Sequence, residues 1–137
     1  MPDSLTLQQL LAMPASDYMN STQLAYFARL LQEFKTEISA NAAHTGEHLR
    51  ETEDAADPAD RATQEEVRTL ELRARDRERK LLKKINAALR RIEEGSYGYC
   101  EETGEAIGLA RLLARPTATL CVEAQERHER RERQFGH

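Results

Sequence analysis

Two long runs of helical periodicity, separated by a short acidic stretch around Pro58, restrict this 137-residue chain more than any other feature. Upstream, Leu24, Phe27, Leu31, Phe34 and Ile38 recur at alternating three- and four-residue spacing, one face of an α-helix. Downstream, Val67, Leu70, Ala74, Leu81, Ile85, Leu89 and Ile92 mark the facing seam of a second helix. Pro58 cannot continue a helix, and it disfavours helical geometry at Asp57. It does suit the first position of a new helix, with Asp57 as N-cap and Asp60 in the first turn. The pattern predicts an antiparallel hairpin with arms of about 34 residues, on the order of 50 Å long at 1.5 Å per residue. Its tip falls near residues 55–61. Continuing the first register past Ile38 meets Asn41, Thr45, His48 and Thr52, with Gly46 nearby, so the zipper is firm at the base and compliant toward the tip.

Composition suits a two-helix protein with a small packed unit: 39% of residues are apolar, 5% aromatic and 32% charged, with no Trp. A net charge of −4 argues against a mainly electrostatic grip on nucleic acid, and no direct specific DNA binding is expected. Charge is unevenly placed. Residues 47–60 hold six acids and one Arg, whereas residues 73–84 hold seven Lys or Arg and two acids. No run reaches the roughly 20 apolar residues of a membrane span, and no secretory signal is visible. Two cysteines in such a chain fit a reducing compartment, so the expectation is a soluble cytoplasmic protein, without membrane association and monomeric.

The mainly α organisation divides into four parts: a segment over 1–18 packing on a globular unit, the coiled-coil hairpin over 19–94, a zinc-finger-like globular unit over 95–120, and a C-terminal helix over 121–137. Asn20 or Ser21 can cap the first long helix, and Gly95 can end the second. Residues 96–104 are rich in turn formers, and Ile107 to Leu113 is a short apolar segment. In the last helix Glu123–Arg127, Glu126–Arg130 and Glu129–Arg133 stand in the favourable i, i+4 order.

Four motifs bear on chemistry. Cys100 and Thr103, then Cys121 and Ala124, have the spacing of a zinc knuckle in which the second member of each pair is missing. Zinc needs about four ligands, and neither a methyl nor a neutral hydroxyl serves well. His128 could supply a third ligand, but a metal-free knuckle with the two thiols, Thr103 and Ala124 packed together is favoured. His44-Thr45-Gly46-Glu47-His48 matches the H-x-x-E-H string of some zinc peptidases, yet a thin hairpin offers no cleft or third ligand, so a solvated face is expected. Asp57 and Asp60 are accounted for as cap and first-turn acids; alternatively, they are carboxylates delivered into a confined site. Arg73, Arg75, Arg77, Arg79, Lys80, Lys83 and Lys84 exceed what nearby acids can pair, which leaves room for a polyanionic partner.

Together these pieces resemble the DksA/TraR family. The resemblance rests on Asp57-Pro58-Ala59-Asp60-Arg61-Ala62, Gln64-Glu65-Glu66, Leu70-Glu71-Leu72-Arg73 and Arg75-Asp76-Arg77-Glu78-Arg79-Lys80. It continues in Gly98-Tyr99-Cys100, Ile107-Gly108 and Ala114-Arg115-Pro116-Thr117-Ala118, and spans the chain from about Tyr18 to the C-terminal helix. It implies a regulator without enzymatic activity that binds bacterial RNA polymerase, inserts its coiled-coil tip through the secondary channel, and acts with ppGpp to inhibit ribosomal RNA promoters and activate biosynthetic ones. The family's tip aspartates map onto Asp57 and Asp60, its tip alanine onto Ala62, and its functional shaft arginine onto Arg77; its shaft asparagine is Ala74 here. Of its ppGpp-site residues Leu81, Lys84 and Arg115 match, while a lysine of the C-terminal helix is replaced by Gln125, which would weaken ppGpp synergy. The reduced cysteine set at Cys100, Thr103, Cys121 and Ala124 is similar to zinc-independent members, so no zinc or other cofactor is expected. Two other classes stand beside this reading: a transcript-cleavage factor of the Gre type, and a coiled-coil adaptor with an incidental turn.

Overall fold

In a computed structural model the protein is mainly α-helical. The structure describes residues 5–53 and 58–135, and side chains at all of these except 42–53, 58–60 and 135. Among the described residues five helices follow in order, α1 (Leu7–Ala12), α2 (Ser21–Glu53), α3 (Pro58–Glu94), α4 (Leu109–Ala114) and α5 (Val122–Phe135), with a 3-10 turn over Ala15–Asp17. The limits of the long helices have local causes. Asn20 caps α2, its side chain accepting from the Gln23 N–H at 2.9 Å. Pro58 opens α3 at the position where its missing N–H costs nothing. At the other end Gly95 (φ 84°) closes α3 in a Schellman arrangement, Ser96 N–H donating to Arg91 O at 3.0 Å and Gly95 N–H to Ile92 O at 3.3 Å.

The chain forms two compact units, Met1–Leu31 with Ala87–His137, and Gln32–Asn86. In the first, Leu10, Phe27, Leu31, Ala88, Tyr97, Leu112 and Ala124 are buried. Phe27 and Tyr97 meet with ring centroids 5.6 Å apart. The short α1 begins with a capping box between Thr6 and Gln9 and buries Leu10. Gln23, a buried polar residue, accepts from Met19 N–H at 2.9 Å, so its burial is compensated.

The second unit is the hairpin, where the later part of α2 packs on the earlier part of α3. Ile38 and Leu72 border one groove and lie at nearly equal chain distance from the connection, as antiparallel pairing demands. The register on α3 differs in part from that expected: Ala74, Ile85, Leu89 and Ile92 are sheltered, whereas Leu70, Val67 and Leu81 are exposed (62%, 37% and 42%) and Glu71, Glu78 and Leu82 are sheltered in their place. Adjacent leucines at 81 and 82 satisfy either register by periodicity, and packing selects Leu82.

Candidate functional site

The region after α3 is a tight knuckle built on backbone hydrogen bonds. Cys100 N–H donates to Glu105 O at 2.8 Å, Gly104 N–H to Cys100 O at 2.9 Å, and Ile107 N–H to Gly98 O at 2.8 Å, with an antiparallel bridge between Tyr99 and Ala106. Glu101 N–H donates to Thr119 O at 2.9 Å, tying the turn to the segment that leads into α5. Tyr97 donates its hydroxyl to Pro116 O at 2.8 Å. Burial pushes the Tyr97 phenol well above its ordinary value. Tyr18 reaches in from the N-terminal segment. Its hydroxyl donates to Gly98 O at 2.6 Å and accepts from Gly108 N–H at 2.9 Å, and its ring meets Tyr99 edge-on at 5.6 Å. Gly98 (φ 91°) admits this approach: a Cβ there would stand 2.7 Å from Met19 Cγ and Sδ.

The knuckle's donor set does not fit zinc. Cys100, Cys121 and Ala124 are buried, and Ala124 brings a methyl to the motif position at which zinc would need a donor. Thr103 is exposed rather than packed with them, its hydroxyl accepting from Glu105 N–H at 3.2 Å. His128 is engaged elsewhere, its Nε2 lying 2.9 Å from Glu102 Oε2. Among the described residues no three His, Cys, Asp or Glu are grouped to hold a metal ion. Burial opposes ionisation of Cys100, but Thr103 Oγ1 and the backbone N–H groups of Cys121, Thr103 and Glu102 overcome it and draw the thiol down to about 6. Both cysteines are free.

On α3, Arg73, Arg77, Lys80 and Lys84 recur at spacings of four, three and four residues, one face of the helix, and all are exposed. Lys80 pairs with Asp76 at 3.2 Å, and Asp76 also meets Arg79. Hydrogen bonds from Lys80 and Arg79 hold the Asp76 carboxyl below its ordinary value. Arg73, Arg77 and Lys84 have no ion pair among the described residues. Leu81 is exposed beside this stripe, and Ala62 is exposed in the second turn of α3. Arg115, also exposed, is the C-cap of α4, its N–H donating to Arg111 O at 2.8 Å. Gln125 lies on α5 and donates to Glu129 Oε1 at 3.3 Å. Asp57 lies outside the described residues, as do the side chains of His44, Glu47, His48 and Asp60, although Asp60 falls in the first turn of α3. None of the three Glu–Arg pairs expected on α5 forms, in line with how little an exposed ion pair returns for the side-chain freedom it costs. Tyr18 is the residue that the sequence did not single out. An isolated Tyr before a helix cap carries no periodic or spacing signal.

A helical hairpin followed by a zinc-finger-like knuckle with half of its thiols defines the class. The chain matches the family DnaK suppressor protein DksA, N-terminal domain, over residues 23–92, and the prokaryotic dksA/traR C4-type zinc finger over residues 95–130. It therefore belongs to the DksA family. It is 63% identical over 123 residues to the RNA polymerase-binding transcription factor DksA of Caulobacter vibrioides, covering 88% of this chain and 87% of that one. The protein of the same name from Escherichia coli K12 is 47% identical over 124 residues, covering 90% and 82%. The structure of transcription factor DksA2 from Pseudomonas aeruginosa superimposes with a TM-score of 0.86 at 50% identity, covering 93% of this chain and 99% of that one. Among the described residues, no helix is long and apolar enough to cross a membrane.

Proposed function

We propose that this chain is a cytoplasmic transcription regulator that binds bacterial RNA polymerase through its secondary channel and brings the acidic end of its hairpin toward the active centre. The observation that carries the reading is 63% identity, over most of both chains, to a protein named as an RNA polymerase-binding transcription factor. The exposed, largely unpaired basic stripe on α3 supports it, since Arg77 stands ready for an acidic partner without first breaking an internal ion pair. Asp57, Asp60 and Ala62 act at the tip, and Arg77 holds the shaft. Leu81, Lys84 and Arg115 contact ppGpp in the complex, the two cations through its phosphates. The chain acts as a monomer, has no chemistry of its own, inhibits ribosomal RNA promoters with ppGpp and activates biosynthetic ones.

The same reading makes the protein a zinc-independent member of its family. The backbone hydrogen bonds of the knuckle and the Tyr18 clamp support this, because they hold the knuckle without an ion. Transcription from a ribosomal RNA promoter by purified polymerase, in chelator-treated buffer with and without ppGpp, tests both parts. Inhibition that ppGpp deepens is expected, with Lys84→Ala, Arg115→Ala losing only the deepening. RNA cleavage in stalled complexes would instead place the chain with Gre-type factors, and absence of polymerase binding with adaptors.

A further inference from the structure

Ile92, Ile85, Glu78, Glu71 and Gln64 stand seven residues apart on α3, at one position of the heptad, and all are sheltered from solvent. The two nearest the end of α3 are apolar, Ile85 being 1% exposed. The three toward Pro58 are polar, and two of them are acids. From Arg61 to Leu81 the other sheltered positions are Ala74 and Asp76, so α3 shelters no large apolar side chain there. Val67, Leu70, Leu72 and Leu81 are exposed instead. The opposite arm fades in the same direction. Phe27 and Leu31 are fully buried, Ile38 is half-buried, and Ser39, Ala40 and Asn41 are exposed. From 42 to 53 the sequence holds one large apolar residue, Leu49. Where the apolar seam ends, Ile38, Leu72 and Leu82 border an open groove of about 500 Å³ rather than closing on one another. Among the described side chains between Gln32 and Lys84, none is buried.

We infer that the hairpin beyond Ile38 and Leu82 is a separate opening unit, whose arms part and close while the base of the hairpin stays folded, and that Glu71 and Glu78 set its low stability. Local opening is governed by how much apolar surface an element buries, and here that quantity falls away along both arms. Residues 64–80 are rich in strong helix formers and carry the pairs of Asp76 with Arg79 and Lys80, so α3 has local reasons to stay helical. What joins it to α2 is packing, without which a helix of this length is marginal in water. Leucine at 71 and 78 would carry the row of Ile92 and Ile85 onward. Glutamate there interrupts the row without breaking the helix, since a carboxylate is costly to shelter and a good helix former all the same. The acids of residues 47–60 therefore sit on a part of the hairpin that yields.

The test is amide hydrogen exchange of the full chain, followed by mass spectrometry and corrected for intrinsic rates. In the wild type, peptides from residues 61–80 are expected to be protected at least about tenfold less than those from residues 85–93. Glu71→Leu, Glu78→Leu should raise protection over 61–80 by about tenfold or more. Glu66→Leu, Arg73→Leu adds leucines at the same spacing on exposed positions and should leave it unchanged. Equal protection of the two stretches in the wild type overturns the separate unit. An equal gain from the exposed pair overturns the assignment to Glu71 and Glu78. Should the seam leucines make the chain self-associate, Glu71→Gln, Glu78→Gln decides instead, because it removes the charges and adds no apolar surface. A gain over 61–80 is expected there too, and its absence overturns the role of the acids.

Discussion

The hydroxyl of Tyr18 joins points 80 and 90 residues further along the chain, at Gly98 O and Gly108 N–H. Tyr18→Phe keeps the ring contact with Tyr99 and strands the Gly108 N–H in a half-buried place, while Gly98 O keeps its bond from Ile107 N–H, so it should cost about 1–3 kcal/mol in urea unfolding. A loss below a few tenths would show that water replaces the hydroxyl. Cys100 makes the complementary case for charge. Its thiol, ordinarily near 9.0, is drawn to about 6 despite burial, by Thr103 Oγ1 and backbone N–H donors. The folded value lies below the unfolded one, so the stabilisation is full above about 9, declines as pH falls, and is gone below about 6. Ultraviolet thiolate absorbance should therefore half-titrate near 6. Thr103→Val should move that midpoint upward, and an unmoved midpoint would exclude the hydroxyl as a donor.

At the level of the elements, much was legible because a few residue types force helix ends. Pro58 and Gly95 act through backbone geometry and Asn20 through a local side-chain cap, and α2 and α3 begin or stop at them. Which of two adjacent leucines faces inward was not legible, since it depends on the partner helix. That choice is measurable. Leu82→Ala should destabilise by about 1–2 kcal/mol, whereas Leu81→Ala should stay within about 0.5 kcal/mol, the values being read from thermal unfolding. Equal losses would return the seam to the register expected from periodicity. The knuckle was legible in part. The cysteine spacing disclosed a zinc-finger-like turn that lacks two ligands, but not what the turn is held by, because Tyr18 meets Gly98 and Gly108 only in three dimensions.

Across the whole molecule, charge and family membership point the same way. Acids gather in residues 47–60 and unpaired cations along α3, on a chain whose relatives are named for binding RNA polymerase. Capping and function make different demands on the acids between the long helices. Asn caps a helix about as well as Asp, and an acid in the first turn adds only about 0.3–1 kcal/mol, so Asp57→Asn, Asp60→Asn should leave helix content close to wild type. If the carboxylates act beside the polymerase active centre, the same pair of changes removes a charge that docking does not require. The decisive measurement is transcription from a ribosomal RNA promoter at matched polymerase occupancy, wild type against this double variant. The account predicts inhibition by the wild type and its near-complete loss in a double variant that still binds polymerase; full inhibition by the double variant would contradict it.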